Sequence, residues 1–135
     1  MLSPDEIAAL PSFAFGDSPG MADELLALVI SGTKTATCAP LRDLGDQQSD
    51  DPMPLVGHLY VVRDGAGRPS AVIETREVTI RRFDEVPADF ALAEGEGDFE
   101  QWRQGHKAYF ARNGGWSAEM EIVCERFRLV EVLPT

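Results

Sequence analysis

The residues whose types best fit chemistry lie in one short segment, residues 32–37, which reads Gly-Thr-Lys-Thr-Ala-Thr. Ten of the twelve basic residues of the chain are arginines, so Lys34 is one of only two lysines. Arginine stays protonated at any accessible pH, whereas a lysine in a low-dielectric site can lose its proton and act as a base. The small side chains around Lys34 leave its amine accessible at the mouth of a pocket. A solvated lysine at a helix C-terminus is the alternative interpretation.

Thr37 follows Lys34 by three residues, and a threonine hydroxyl becomes a nucleophile only when a base lies within hydrogen-bond reach. Lys34 is a candidate for that base. Residues i and i+3 of a regular strand point to opposite faces, so the pairing requires a chain that is still turning at Lys34 and Thr35. A helix-to-strand junction, which we predict here, supplies such a turn.

A second polar segment, residues 94–97, reads Glu-Gly-Glu-Gly and is a poor sequence for a hydrophobic core. An ordinary acidic loop is one interpretation. In the other, a carboxylate approaches Lys34 or a substrate water, and its charge favours the protonated lysine. Such a carboxylate would not lower the lysine pKa. It is better interpreted as an orienting group or a second base.

Metal and base-stacking sites have weaker support. The two cysteines and two histidines lack the close spacing of a zinc module, so we expect reduced thiols, no metal ion and no cofactor. Residues 102–110 place Trp, His, Tyr and Phe near one helical face, which favours core packing over a stacking platform. Glu74 interrupts an apolar strand face and needs a partner such as Arg76 or Arg126, so a structural ion pair is the favoured explanation.

Helices and strands must position these segments, and capping residues predict the first of them. A short helix begins at Ser3 and ends before Pro11, and residues 13–17 form a loop. Ser18 caps a second helix with Pro19 at its first position, and Gly32 ends it. A strand over residues 34–38 and a long polar loop over 40–54 follow.

The remaining elements are a hairpin, two helices and a final strand. Strands 57–63 and 70–82 flank the turn 64–69. A weak helix over 87–93 ends at the glycines that follow it. Asp98 and Gln101 form a capping box for a helix that extends to Arg112. The last strand spans 122–132. Strands this few and this interrupted do not fit parallel crossovers. The order predicts an α+β fold, a small mixed barrel with helices packed outside.

Length, charge and hydropathy bound the function classes. A chain of 135 residues with 44% apolar residues is expected to form a single domain with one core. The formal charge of -11 repels a phosphate backbone, although basic residues on either side of an acidic stretch still allow a local basic cleft. No apolar run approaches twenty residues and the N-terminus is acidic, so we expect a cytoplasmic protein without membrane contact.

Seven segments, taken in order, resemble the ASCH domain family. They are residues 15–18, 22–29, 32–37, 72–75, 83–86, 93–98 and 123–127. The family hallmark is a Gly-x-Lys-x-x-Thr segment, matched here by Gly32, Lys34 and Thr37. The resemblance covers about residues 13–129 and implies a PUA-like mixed β pseudo-barrel with flanking helices, a fold shared with RNA-modification and RNA-binding domains. Residues 1–12 would then be an N-terminal extension of the single domain 1–135.

Members similar in this motif include small amidohydrolases that remove the acetyl group of N(4)-acetylcytidine, and others are ribonucleases. The resemblance assigns the lysine to Lys34, the threonine to Thr37 and the glutamate to Glu96. Those hydrolases commonly carry an arginine where this chain has Ala39, and Arg42 is a possible substitute. We expect further substrate contacts from Thr35, Arg42, Glu74, Phe15 and Trp102.

The leading hypothesis is therefore hydrolysis of the amide of an acylated nucleoside or nucleobase, with Lys34 as base, Thr37 as nucleophile and Glu96 as orienting group. Backbone amides near Thr37 would hold the oxyanion. The alternatives are a ribonuclease and a non-catalytic RNA-binding module that use the same cleft. The expected partner is a small nucleoside-like substrate or single-stranded RNA, bound by a monomer or homodimer.

Overall fold

The computed structural model describes residues 2–44 and 53–134. Part of the predicted loop 40–54 therefore lies outside the described residues. At its described start, Pro40 is buried as the last residue of a strand, and Leu41–Asp43 form a 3-10 turn. The beginning of the segment is thus a buried strand end followed by a turn in which Arg42 and Asp43 are exposed at the surface.

Helices and strands alternate along the described chain. The helices are α1 (Pro4–Ala9), α2 (Pro19–Ile30), α3 (Ala88–Ala93) and α4 (Phe99–Arg112). The strands are β1 (Ser12–Phe13), β2 (Ala36–Pro40), β3 (Leu59–Arg63), β4 (Pro69–Arg82) and β5 (Glu121–Val132). A second 3-10 turn, Phe83–Glu85, follows β4. The predicted α+β class is confirmed.

The five strands form one sheet in the order β1-β3-β4-β5-β2. β1 runs parallel to β3, and the other neighbours are antiparallel. Because β1 and β2 are edge strands, the sheet formed by the described residues is open, and closure of a pseudo-barrel stays a prediction. β1 overlaps the predicted loop 13–17 at Phe13. The sequence does not predict this strand, because two residues are too few to show a strand period.

Predicted caps fix the two longer helices. The Ser18 hydroxyl accepts the Met21 N–H at 3.2 Å, with Pro19 at the first helical position. The Asp98 carboxylate accepts the Gln101 N–H at 2.8 Å, and the Gln101 side chain accepts the Asp98 N–H in return. Each helix therefore begins where the sequence predicts.

The connection from α2 to β2 differs from the prediction in one respect that matters. Gly32 ends the helix with φ +84°, and the amide N–H groups of Thr33 and Lys34 both bond back to Leu28 O. The chain is therefore still turning at Lys34, and β2 begins at Ala36 instead of Lys34. This is the turn that a site shared by Lys34 and Thr37 requires.

Two clusters of buried side chains cover the two faces of the sheet. The first cluster lies under α2 and contains Phe15, Leu25, Leu26, Val29, Tyr60, Ile73 and Phe127. The second lies under α3 and α4 and contains Ala36, Phe83, Phe90, Trp102, Phe110 and Cys124. α1 packs beside a third, smaller cluster with Val61, Val72 and Leu133. Among the described residues, no helix is both long enough and apolar enough to cross a membrane.

Candidate active site

Lys34 is almost completely buried, with 1% of its surface exposed. Its Nζ lies 3.1 Å from Glu94 Oε1 and 3.2 Å from Glu96 Oε2, so the amine bridges the two carboxylates of the Glu-Gly-Glu segment. Burial alone would lower the pKa of Lys34, but the charges of Glu94 and Glu96 outweigh burial and raise this pKa. The resting amine is therefore an ammonium. This structure excludes the solvated lysine of the alternative interpretation.

Glu94 is the buried counterion of this cluster. Besides Lys34, its carboxylate accepts the indole N–H of Trp102 at 2.7 Å. Burial raises the pKa of Glu94, yet the charges of Lys34 and His106 outweigh burial and hold the pKa well below its usual range. Glu96 is more accessible, because 21% of its side chain is exposed. Glu94 is thus the structural partner of the ammonium, and Glu96 is the carboxylate that a substrate can reach.

His106 completes the charged cluster from α4. Its Nδ1 lies 2.8 Å from the carbonyl oxygen of Trp102, which can only accept, so Nδ1 carries a hydrogen. Nε2 then points at Glu94 Oε1, 3.5 Å away, and Glu96 Oε2, 3.9 Å away. Burial lowers the pKa of His106, but the charge of Glu94 and its hydrogen bond raise this pKa by more. When His106 is protonated, the cluster holds two cations against two anions.

Three potential metal ligands lie together in the described part of the chain. Cys38 Sγ, a carboxylate oxygen of Glu94 and a ring nitrogen of His106 fall within 4.8 Å of one another. Burial and the charge of Glu94 raise the pKa of the Cys38 thiol well above its usual range, which keeps it a poor ligand. Lys34 already neutralises Glu94. The arrangement therefore fits an ammonium-centred cluster better than a metal centre.

Two adjoining cavities open beside this cluster. The smaller, of about 160 Å³, contacts Lys34, Glu94, Glu96 and His106, and the larger, of about 320 Å³, is lined mainly by apolar and aromatic side chains. Both cavities are lined by Phe15, Gly16, Thr37, Cys38, Tyr109 and Phe110. They therefore form one cleft, and we name its smaller, charged end the inner cavity and its larger, aromatic end the outer cavity.

Thr37 lies where the two cavities meet, on the edge strand β2. Its hydroxyl makes no hydrogen bond to any other residue that the structure describes, Lys34 included. Thr37 and Lys34 nevertheless line the same inner cavity. The cavity, and not a direct hydrogen bond, therefore connects the two groups.

The structure brings together five of the residues that the sequence nominates. Lys34, Thr37, Glu96, Phe15 and Trp102 all line the inner cavity. Trp102 acts there through its hydrogen bond to Glu94, and the Phe15 ring lies 5.5 Å from the Lys34 ammonium. The other three residues that the sequence nominates do not line this cavity.

Thr35, Arg42 and Glu74 lie outside the described lining of both cavities. Thr35 pairs through its backbone with Ala93 O at 2.8 Å. Arg42 donates to the carbonyl oxygens of Gly115 at 2.7 Å and Asn113 at 3.4 Å, so it holds the end of α4. Glu74 accepts from Arg128 at 2.7 Å and Arg76 at 3.3 Å, the structural ion pair that the sequence favours, although with Arg128 in place of Arg126.

Three acidic or imidazole side chains of the cleft are not among the individual site residues that the sequence predicts. Glu94 belongs to the Glu-Gly-Glu segment that the sequence singles out, but only the folded chain shows which of the two glutamates is buried. The sequence favours core packing for His106, and its spacing of four residues from Trp102 is the one signal that places both on one face of α4. Glu125 shares one face of β5 with the apolar Val123 and Phe127, and an acid at such a position of a strand is the signal that could have marked it.

The model of the ASCH domain family matches residues 11–131. No protein with a curated description matches the sequence. Protein EF3133 from Enterococcus faecalis V583, whose structure is assigned to the family model DUF984, is similar with 31% identity and a TM-score of 0.79, covering 98% of this chain and 79% of that chain.

Two further solved structures show the same fold. The ASCH domain from Lactobacillus crispatus JV V101 has 28% identity and a TM-score of 0.78, covering 95% of this chain and 86% of that chain. A mutant of ZmASCH from Zymomonas mobilis has 11% identity and a TM-score of 0.56, covering 91% of this chain and 75% of that chain, a likeness of fold alone. From the family match over residues 11–131, we conclude that the chain belongs to the ASCH domain family.

Proposed function

We propose that this ASCH domain is an amidohydrolase that cleaves the amide of an acylated cytidine, or of a related nucleoside or nucleobase. One observation carries the proposal: the Thr37 hydroxyl lines the same inner cavity as the buried Lys34 ammonium and the accessible Glu96 carboxylate. A hydroxyl nucleophile, a fixed positive charge and a reachable carboxylate are the groups that acyl transfer requires. Family membership is consistent with a hydrolase.

The shape of the cleft fits a substrate with a planar ring and a small acyl group. The aromatic outer cavity of about 320 Å³ lies in the range of about 300–1,000 Å³ that is usual for small-molecule sites. Phe13, Phe15, Tyr60 and Tyr109 are among its lining residues and offer faces and edges to a nucleobase. The acyl group would enter the charged inner cavity, next to Thr37.

Charge favours an uncharged nucleoside over an RNA strand. In the described lining of the cleft, Lys34 is the one lysine or arginine, and two carboxylates already neutralise it. Asp43 and Glu125 add two more acids to the outer cavity. A phosphate there would meet carboxylates without a free basic partner, and the chain as a whole carries a formal charge of -11.

In this mechanism Thr37 Oγ1 attacks the acyl carbon and forms an ester while the nucleoside amine departs, and water then hydrolyses the ester. The Lys34 ammonium and backbone N–H groups of the edge strand β2 stabilise the oxyanion. The base role that the sequence suggests for Lys34 requires the ammonium first to give a proton to Glu96, 3.2 Å away. As an ammonium, Lys34 acts without that transfer.

The test uses purified protein incubated with N(4)-acetylcytidine and, separately, with single-stranded RNA. We expect cytidine release by the wild type, a loss of at least about 100-fold in Thr37→Val, which keeps the β-branched shape, and retained turnover in Thr37→Ser, which keeps a hydroxyl. Lys34→Met should also lose activity, with thermal unfolding as the check on its fold. Cleavage of RNA without cytidine release would replace the proposal with the ribonuclease alternative.

A further inference from the structure

Glu125 is a buried carboxyl group at the outer cavity that the mechanism above does not use. It lies on β5 with 7% of its surface exposed and lines the larger cavity. One oxygen, Oε2, accepts the Thr75 hydroxyl hydrogen at 2.7 Å. No lysine or arginine forms an ion pair with Glu125 among the residues described, and its second oxygen has no hydrogen-bond partner there. Among the described residues this second oxygen is not fully buried, so it is accessible from the cavity that Glu125 lines and can accept a proton there.

Sheet register places Glu125 beside Thr37. The two residues are direct partners across the antiparallel β2–β5 ladder. Directly opposed residues project from the same face with Cβ atoms about 4.5–5.5 Å apart, within reach of a glutamate and a hydroxyl. Both side chains line the outer cavity. No hydrogen bond joins them in the resting structure, but catalytic hydrogen bonds often tighten only when substrate binds.

The other candidate acceptors for the Thr37 proton, Lys34 and Glu96, are already bonded to each other. Lys34 Nζ donates to Glu94 and Glu96 at 3.1 and 3.2 Å and holds its own proton at rest. A threonine hydroxyl needs an acceptor within hydrogen-bond reach before it can attack. Glu125 is the carboxyl group that the sheet places opposite Thr37.

The groups around Glu125 come from several elements. Thr75 on β4 donates to it, Tyr60 on β3 and Asp43 line the same cavity, and Lys34 contributes a positive charge from the turn before β2. Burial raises the pKa of Glu125, and the Thr75 hydrogen bond and Lys34 only partly oppose this effect. A carboxyl group whose pKa lies closer to neutral is a stronger base than an ordinary glutamate.

We propose that Glu125 is the catalytic base for Thr37, an inference that rests on the proposed function of the cleft. The free oxygen of the Glu125 carboxylate takes the Thr37 hydroxyl proton as Oγ1 bonds to the acyl carbon. The carbon–nitrogen bond then breaks, and the protonated Glu125 returns this proton to the departing amine. In the second half, Glu125 takes a proton from the attacking water, and the Thr37 oxygen regains a proton as the acid leaves.

The experiment compares wild type with Glu125→Gln, which keeps shape and the acceptor for Thr75. Glu121→Gln is the matched control, because Glu121 is an exposed acid on the same strand. Two readouts are taken from pH 4 to 9: release of cytidine from N(4)-acetylcytidine, and acetylation of Thr37 by p-nitrophenyl acetate, followed by mass spectrometry of the intact protein and its peptides. The acetylation readout does not depend on the identity of the natural substrate.

We expect Glu125→Gln to lower the rate of Thr37 acetylation by about 100-fold or more and to remove the rise of that rate with pH, while Glu121→Gln matches wild type. Thermal unfolding verifies the fold, and Glu125→Asp, which keeps a carboxyl, should retain part of the rate.

Equal acetylation rates and pH profiles in wild type and Glu125→Gln would overturn the inference, and so would a wild type whose Thr37 is not acetylated. The two proposals fail separately. If cytidine is released but Thr37 acetylation does not depend on Glu125, the hydrolase stands and this inference falls. If Thr37 acetylation depends on Glu125 but no cytidine is released, Glu125 is still the base, and the proposal that the substrate is an acylated cytidine is wrong.

Discussion

At the scale of single residues, Glu94 organises the inner end of the cleft. Its carboxylate contacts the Lys34 ammonium, the Trp102 indole and the His106 ring, and the three donors come from the turn before β2 and from α4. A buried charge is tolerated only when it is paired and hydrogen-bonded in this way. The protonation states of Lys34 and His106 therefore depend on Glu94.

The first residue-scale prediction concerns the charge of His106. Glu94→Gln removes the carboxylate whose charge raises the His106 pKa, so we expect this pKa to fall. The measurement is an NMR pH titration of the imidazole resonances, assigned with a His58→Gln variant. Glu100→Gln, which removes an exposed acid in the first turn of the same helix, should leave the His106 titration as it is in wild type. Unchanged titration in Glu94→Gln would contradict this assignment.

The sign of the resulting pH dependence of stability follows from the same shift. Because the folded pKa of His106 is above its unfolded value, its contribution to stability is complete below the unfolded pKa and is lost as pH rises through the folded pKa. Glu94, whose folded pKa is lowered, contributes above its unfolded pKa and loses that contribution as pH falls through the folded value. Both contributions are complete between the unfolded pKa of Glu94 and the unfolded pKa of His106. The cluster therefore stabilises the folded state most at mildly acidic pH.

At the scale of elements, the short connection from α3 to α4 determines how both glutamates reach Lys34. Gly95 separates them with φ +74°, and a Cβ there would lie 2.7 Å from the carbonyl oxygen of Thr33 and 3.1 Å from the amide nitrogen of Lys34. The segment that contains Lys34 and the Glu-Gly-Glu segment therefore pack backbone against backbone. Glycine at position 95 is required for this close approach.

The element-scale prediction compares two glycines. Gly95→Ala should reduce the free energy of unfolding and lower turnover, because the methyl group pushes the Glu94 and Glu96 segment away from Lys34. Gly32→Ala is the matched control: Gly32 has φ +84°, but a Cβ there meets nothing within 4 Å. We expect Gly95→Ala to be less stable than Gly32→Ala by at least about 1 kcal/mol in urea unfolding, the cost of the added clash. Equal losses would argue against this packing.

At the scale of the whole molecule, the sheet brings its two edges to one cleft. Phe13 of β1 and Thr37 of β2 lie on opposite edge strands, yet both line the outer cavity. The sheet therefore curls around the cleft, although its described strands do not close. Because the molecule carries a formal charge of -11, this cleft lies in a predominantly negative field that favours uncharged ligands over polyanions.

The whole-molecule prediction is that salt has little effect on activity. For N(4)-acetylcytidine, kcat/KM should change by less than about twofold between about 50 and 200 mM salt, because no counterions are released from a neutral nucleoside. A protein that makes about six to ten phosphate contacts to single-stranded RNA would lose roughly 10²- to 10⁴-fold in affinity over this range. The 5′-monophosphate of the same nucleoside is the control and should be the poorer substrate. A steep salt dependence with the nucleoside would contradict the uncharged-substrate model.

Much of the local structure was predictable from the sequence, for local physical reasons. Ser18, Asp98 and Gly32 carry their capping chemistry in the side chain or in its absence, so α2 and α4 begin and end where predicted. The two-residue β1 and the late start of β2 were not predictable. β1 depends on pairing with β3, and the start of β2 depends on backbone bonds from Thr33 and Lys34 to Leu28.

The candidate site divides in the same way. The sequence by itself determined which segments hold the candidate catalytic residues, because the residue types and spacing of Lys34, Thr37 and Glu96 are properties of short stretches of chain. Only the tertiary structure decided their environment: that Glu94 is the buried counterion, and that Glu125 lies opposite Thr37. Lys34 and Glu94 are 60 positions apart, and burial and neighbouring charge set a pKa. Neither quantity exists until distant segments pack together.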